Sequence, residues 1–186
     1  MGDFWVFGYG SLIWQPDFPV AERRLAQAAG WRRGFCMWSI HHRGTPDAPG
    51  LVLALDRAEG ADCHGVALRV APGAEDRTLA ALRERELVSS AYLETRIEVQ
   101  TAQGALTALA FVVDPAHPQY AADLTPADQA AIIARACGGR GPNRDYLWQT
   151  ARHLADLGIA DAGLAALAQR VRELCDNPAP DAAVRR

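Results

Sequence analysis

Phe4-Trp5-Val6-Phe7-Gly8-Tyr9-Gly10-Ser11-Leu12-Ile13-Trp14 starts as a strand and breaks at two glycines. Aromatic and β-branched residues at positions 4–7 suit a pleated, half-buried surface. Gly8 and Gly10 bracket one tyrosine, a pattern that allows positive φ and a close approach of backbone to another group. A buried strand ending in such a turn presents successive N–H groups. Together they make a concavity for an anion or a developing oxyanion. An ordinary strand-to-loop turn, with glycines for geometry only, is the competing reading of the stretch taken alone.

Working outward, residues 16–19 read as a loop and the segment to Gly30 as polar and partly helical. Residues 34–40, 51–55 and 63–70 read as strands, with a turn-rich loop at 41–50 and a polar turn at 56–62. A helix is expected over residues 74–89. Leu93, Thr95, Ile97 and Val99 alternate with polar residues, so 93–100 reads as a strand with one solvated face. Gln103-Gly104 turns it back into 106–113 as a hairpin. Thr125 followed by Pro126 starts a helix. Asn143 and Asp161 are the expected caps of two more, the first stopped at Gly158 and the last carrying Leu164, Leu167, Val171 and Leu174 on one stripe.

Six strands ahead of a helical third, with one long helix among them, point to an α+β fold. The expected architecture is a mixed or antiparallel sheet curled into a β-barrel with flanking helices. One domain is expected over residues 1–176, with a tail at 177–186.

The chain has 186 residues, of which 49% are hydrophobic and 22% charged, the range of an ordinary globular protein. A net charge of −3 gives no reason to expect nucleic acid. No apolar run approaches the roughly 20 residues that span a bilayer. Met1-Gly2-Asp3-Phe4 does not resemble a secretory signal, and the expected location is cytoplasmic. The 4 cysteines, Cys36, Cys63, Cys137 and Cys175, are scattered without zinc spacing. All 19 basic residues are arginine, which excludes lysine Schiff-base chemistry and a Walker-A phosphate loop.

The helix at 74–89 carries a carboxylate on its apolar side. At 100° per residue, Glu86 projects between Leu79 and Leu82, whereas Glu84 points to solvent. A carboxylate so placed needs a cationic partner, a pocket or a raised pKa. Pairing with neighbouring Arg83 is one reading. A desolvated general base working near neutral pH is the other.

Other signals are weaker. Ser11 lacks the nucleophile-elbow pattern, and Gly8-x-Gly10 lacks the third glycine of a dinucleotide fingerprint. His41 and His42 are adjacent, which suits a loop better than a metal site. Arg43 could hold a substrate carboxylate, and Tyr146 reads equally as a helix core residue.

Four places in register resemble the γ-glutamyl cyclotransferases, most closely their ChaC-type, glutathione-specific branch. They are the turn at 6–14; His42-Arg43-Gly44-Thr45 with Pro49-Gly50; Arg85-Glu86 six residues ahead of Tyr92; and Asp114-Pro115-x-His117-Pro118-x-Tyr120 with Asn143-x-x-Tyr146-Leu147 beyond it. The chain departs from that pattern at Arg83, where an aromatic residue is often found. The resemblance implies a mixed β-barrel with flanking helices and a cavity at the Tyr9–Leu12 turn. It implies a lyase, free of cofactor and metal, that converts glutathione to 5-oxoproline and cysteinylglycine. Glu86 is the implied base. Val6, Phe7, Gly8, Tyr9, Gly10, Ser11 and Leu12 are implied to seat the γ-glutamyl end, with Arg43 and Tyr146 as further contacts. The implied partner is a small molecule, and monomer and homodimer both stay open. Turnover of other γ-glutamyl amino acids or amines is the alternative within the class. A non-catalytic binder of an acidic ligand and a structural barrel are the alternatives outside it.

Overall fold

The structure, a computed structural model, describes residues 3–87 and 90–177. Five strands close into a barrel: β1 (Trp5–Gly8), β2 (Val20–Ser39), β3 (Gly50–Val70), β4 (Tyr92–Thr101) and β5 (Gly104–Val113). Their order is β1-β3-β2-β4-β5. Most pairs are antiparallel, but β5 runs parallel to β1 at Val6↔Leu109 and to β3 at Leu55↔Val112, so the sheet is mixed. α1 (Glu75–Glu86) joins β3 to β4. α2 (Pro126–Arg135), α3 (Asn143–Asp156) and α4 (Ala162–Asp176) follow the barrel, with a two-stranded ribbon, β6 (Cys137–Gly138) and β7 (Gly141–Pro142), between α2 and α3. Among the described residues, no helix is long and apolar enough to cross a membrane.

The expected barrel with flanking helices is present. β1 is buried at every position because neighbours cover both its faces, so it reads as a continuous apolar run rather than an alternation. Phe7, Phe35, Leu55, Leu68, Leu109 and Phe111 fill the interior. Burial of each contributes roughly 1.5–3 kcal/mol.

Several local expectations are corrected. The polar segment ahead of Gly30 is not helical but forms the first half of β2. Its partner β3 runs unbroken through the residues expected to form a turn at 56–62, so six expected strands become five in the barrel. Cross-strand partners are the reason. Asp56 lies opposite Arg32, whose Nη2 donates to it at 2.9 Å, and Arg57 stacks 4.4 Å over the Trp31 ring. These polar residues are satisfied inside the ladder and need no loop. The turn signal registers instead as a shift in pairing between Ala29↔Asp62 and Trp31↔Arg57, with Gly30 at φ +77°.

Helix starts follow the caps in two of three cases. Thr125 and Asp128 form a reciprocal capping box at α2, and the Asp161 carboxylate accepts from Leu164 N–H at α4. Asn143 does not cap α3: it is the first helical residue, fully buried, and its amide bonds both ways to the Leu51 backbone at 2.7 Å. Leu93 and Leu174, expected on buried faces, are exposed. The expected helix end at 88–89 and the tail beyond Asn177 lie outside the described residues.

Candidate active site

β1 delivers the turn to one end of the barrel, where Ser11–Ile13 winds into a single 3₁₀ turn. The expected positive φ is absent at Gly8 and Gly10; Gly10 sits at φ −139° and ψ −129°. A Cβ at position 10 would stand 3.5 Å from the Tyr146 hydroxyl and from Leu53 Cδ1, an ordinary van der Waals contact, so the backbone here lies directly against the cavity lining. The Ser11 and Leu12 N–H groups donate to no described residue, as expected for the first positions of a helical turn. Arg33 fixes the turn from behind. Its side chain is buried, and its guanidinium donates to Tyr9 O at 2.8 Å and to the Asp161 carboxylate at 3.1 Å.

Two adjoining cavities open here. The smaller, about 40 Å³, is lined by Tyr9, Gly10, Ser11, Leu12, Glu86 and Tyr146 among others. The larger, about 210 Å³, shares Ser11, Glu86, Tyr92 and Tyr146 and adds Trp38, Arg43, Arg85, Gln119 and Arg140. Tyr9, Gly10, Ser11, Leu12, Arg43, Glu86 and Tyr146, all singled out from the sequence, therefore meet around one space. Val6, Phe7 and Gly8 do not line it; they are buried strand residues that hold the turn in place.

Glu86 ends α1 with 18% of its side chain exposed. Burial raises its carboxyl above the ordinary range, against the opposing pull of the Arg85 and Arg140 cations. Among the described residues its one ionic partner is Arg85, whose Nε stands 3.1 Å from Oε1. Arg83 is not that partner: it lies outside, in a two-pronged contact with Glu94 at 2.6 and 3.0 Å. The departure at position 83 therefore falls on an exposed side chain that faces away from the site.

Around the carboxylate stand three phenols. Tyr9 donates to Phe111 O and Tyr92 to Leu53 O, both at 2.7 Å. The Tyr146 hydroxyl donates to no described residue and lines both cavities. Burial first raises all three, and the charge of Glu86 adds to it, so each phenol stays protonated as a donor.

The 41–50 loop is stitched down at its start. Gly139 and Arg140 N–H groups donate to His41 and His42 O at 2.8 and 2.9 Å. A Cβ at Gly44 would fall 2.0 Å from Gly50 N, and one at Gly138 2.5 Å from Gly44 N, so this backbone-to-backbone packing needs glycine at both. Arg43 Nη1 donates to Arg140 O at 2.7 Å while its guanidinium lies 5.3 Å from the Tyr146 ring centroid.

Arg85, Tyr92 and Arg140 line the site without a residue-level signal of their own in the sequence. The first two lie inside the third matching segment, which was their only signal. Arg140 sits in a Gly-rich turn and gives none. Among the described residues no cluster of His, Cys, Asp and Glu could hold a metal ion.

The sequence profile of the ChaC-like protein family matches residues 4–174. A glutathione-specific γ-glutamylcyclotransferase of Escherichia coli is 36% identical, the match covering 99% of this chain and 79% of that one. Gamma-glutamylcyclotransferase 2-3 of Arabidopsis thaliana is 37% identical over 91% of this chain and 89% of its own. The fold matches that of a yeast γ-glutamyl cyclotransferase specific to glutathione, with a TM-score of 0.84, 24% identity, and coverage of 93% of this chain and 97% of that one.

Proposed function

We propose, from the premise that this chain belongs to the ChaC-like protein family, that it cleaves glutathione to 5-oxoproline and cysteinylglycine with Glu86 as proton carrier. One observation carries the assignment of Glu86. It is a mostly buried carboxylate with a single ionic partner among the described residues, placed where a donor-rich turn and a cavity meet.

The reaction is intramolecular. The substrate's α-amine attacks its own γ-glutamyl carbonyl, a C–N bond forms to close a five-membered lactam, and the C–N bond to cysteine breaks. No water is consumed. The protein's task is to fold the γ-glutamyl arm and to move a proton from the attacking nitrogen to the departing one. Glu86 takes the proton and returns it. Its raised pKa brings it nearer neutral pH, where such a shuttle works best. The N–H groups of Ser11 and Leu12 receive the α-carboxylate or the developing oxyanion, and the Tyr146 hydroxyl offers a further donor. Tyr9 and Arg33 hold the turn rigid while the charge develops.

Incubation of the purified protein with glutathione should yield 5-oxoproline and cysteinylglycine. Glu86→Gln should lower kcat by about 10²–10⁴-fold while folding normally. Equal turnover by both proteins would remove Glu86 from the mechanism. Turnover of γ-glutamyl amino acids or amines, but not of glutathione, would keep the chemistry and change the substrate.

A further inference from the structure

Arg43, Arg85 and Arg140 all line the larger cavity, but they are not equivalent. Arg85 donates to Gln15 O, Asp17 and Ser11 Oγ, each at 2.8 Å, besides its contact with Glu86. Arg43 is tied through Nη1 to two backbone carbonyls and stacked on Tyr146. The Arg140 side chain makes no hydrogen bond or ion pair with any described residue, although its root is fixed. Its N–H donates to His42 O at 2.9 Å, its carbonyl accepts from Arg43 at 2.7 Å, and Gly141 follows at φ +92°. A rigid root under an uncommitted guanidinium is the arrangement of a binding group rather than a structural one.

Resting on the proposed function, we infer that Arg140 is the specificity residue of this site, binding the glycine carboxylate of glutathione. Glutathione carries a carboxylate at each end. The γ-glutamyl end belongs at the turn, around the smaller cavity, which Arg140 does not line. The cysteinylglycine portion must then occupy the larger one, where Arg140 supplies a planar two-pronged partner for a carboxylate. A γ-glutamyl amino acid ends one residue earlier, and its carboxylate stops roughly 3.3–3.6 Å short of this position. The contact is made equally in ground and transition states, so it acts on KM; the pull of Arg140 on Glu86 moves the acid limb and leaves kcat nearly alone at pH values above that limb.

The test is steady-state kinetics of the wild type, Arg140→Gln and Arg140→Lys with glutathione and with its glycine monoethyl ester. The wild type should show a KM about tenfold higher for the ester, the size expected for one charge-assisted contact. At a pH above the acid limb, Arg140→Gln should raise KM for glutathione by about tenfold, with kcat within about twofold, and leave KM for the ester unchanged. Arg140→Lys should fall between. An unchanged KM for glutathione in Arg140→Gln, or an equal rise for both substrates, overturns the inference while the proposed function stands. Absence of wild-type turnover of either substrate overturns the proposed function and this inference with it.

Discussion

Asp56, within β3, and Glu86, at the end of α1, are both withdrawn from water, and both face an arginine, yet they are built for different ends. Asp56 is held on two sides: Arg32 Nη2 and the Tyr120 hydroxyl each donate to Oδ2 at 2.9 Å. Among the described residues Glu86 has one ionic contact, at 3.1 Å, with an arginine also engaged by Asp17, Ser11 and Gln15. It borders two cavities. The difference shows that burial alone does not separate a structural acid from a chemical one. Satisfaction does: a carboxylate with well-aligned donors is pinned, whereas one left short of donors keeps lone pairs for a substrate proton.

The largest effect should come from exchanging each acid for its amide. Glu86→Gln should abolish most turnover without lowering stability at neutral pH. Burial raises the folded-state pKa of Glu86, so its ionised form costs stability as pH rises through that value. The amide removes that cost, and the advantage should shrink as pH falls toward the unfolded value of about 4.3. Urea unfolding across that range checks the sign. Asp56→Asn should do the reverse, costing about 1–3 kcal/mol of stability while kcat changes by no more than a few-fold. A strong loss of kcat there, measured on folded protein, would break the comparison.

Next in size is the pH profile. The acid limb of kcat/KM should lie above that of an ordinary glutamate. Arg85→Met removes the stronger of the two cations that oppose the effect of burial, the other being Arg140, and should move the limb further up. An unmoved or lowered limb would show that Arg85 does not act on Glu86. The smallest effect belongs to Tyr120→Phe, which leaves Asp56 one donor: a loss of about 1 kcal/mol in denaturant unfolding, with turnover unchanged.

Much of this was legible before any coordinates. The alternation at 93–100, the Thr125-Pro126 start and the Asp161 cap are local signals, and the elements they predict are present. The turn residues and Glu86 were also legible, because a glycine break after a strand and an acid on an apolar stripe are anomalies in pattern. What misled was polarity read as a loop. Residues 20–30 and 56–62 are polar, yet they form strands: Asp56 meets Arg32 and Arg57 covers Trp31 across the ladder, partners that no local pattern shows.

The sequence by itself determined the starts of α2 and α4, the β4–β5 hairpin, the position of the glycine turn and the odd placement of one glutamate, all of which depend on neighbours within a few residues. Only the tertiary structure decided which arginine meets Glu86, that Asn143 ties α3 to β3 rather than capping a helix, and that Arg140 has a fixed root and an open guanidinium. The ties of Asn143 to Leu51 and of Arg43 to Arg140 span 92 and 97 residues, and even between neighbours such as Arg85 and Glu86 the surrounding fold decides which arginine turns toward the carboxylate. Closing the barrel selects them, because buried donors and acceptors must find partners wherever the chain brings them together.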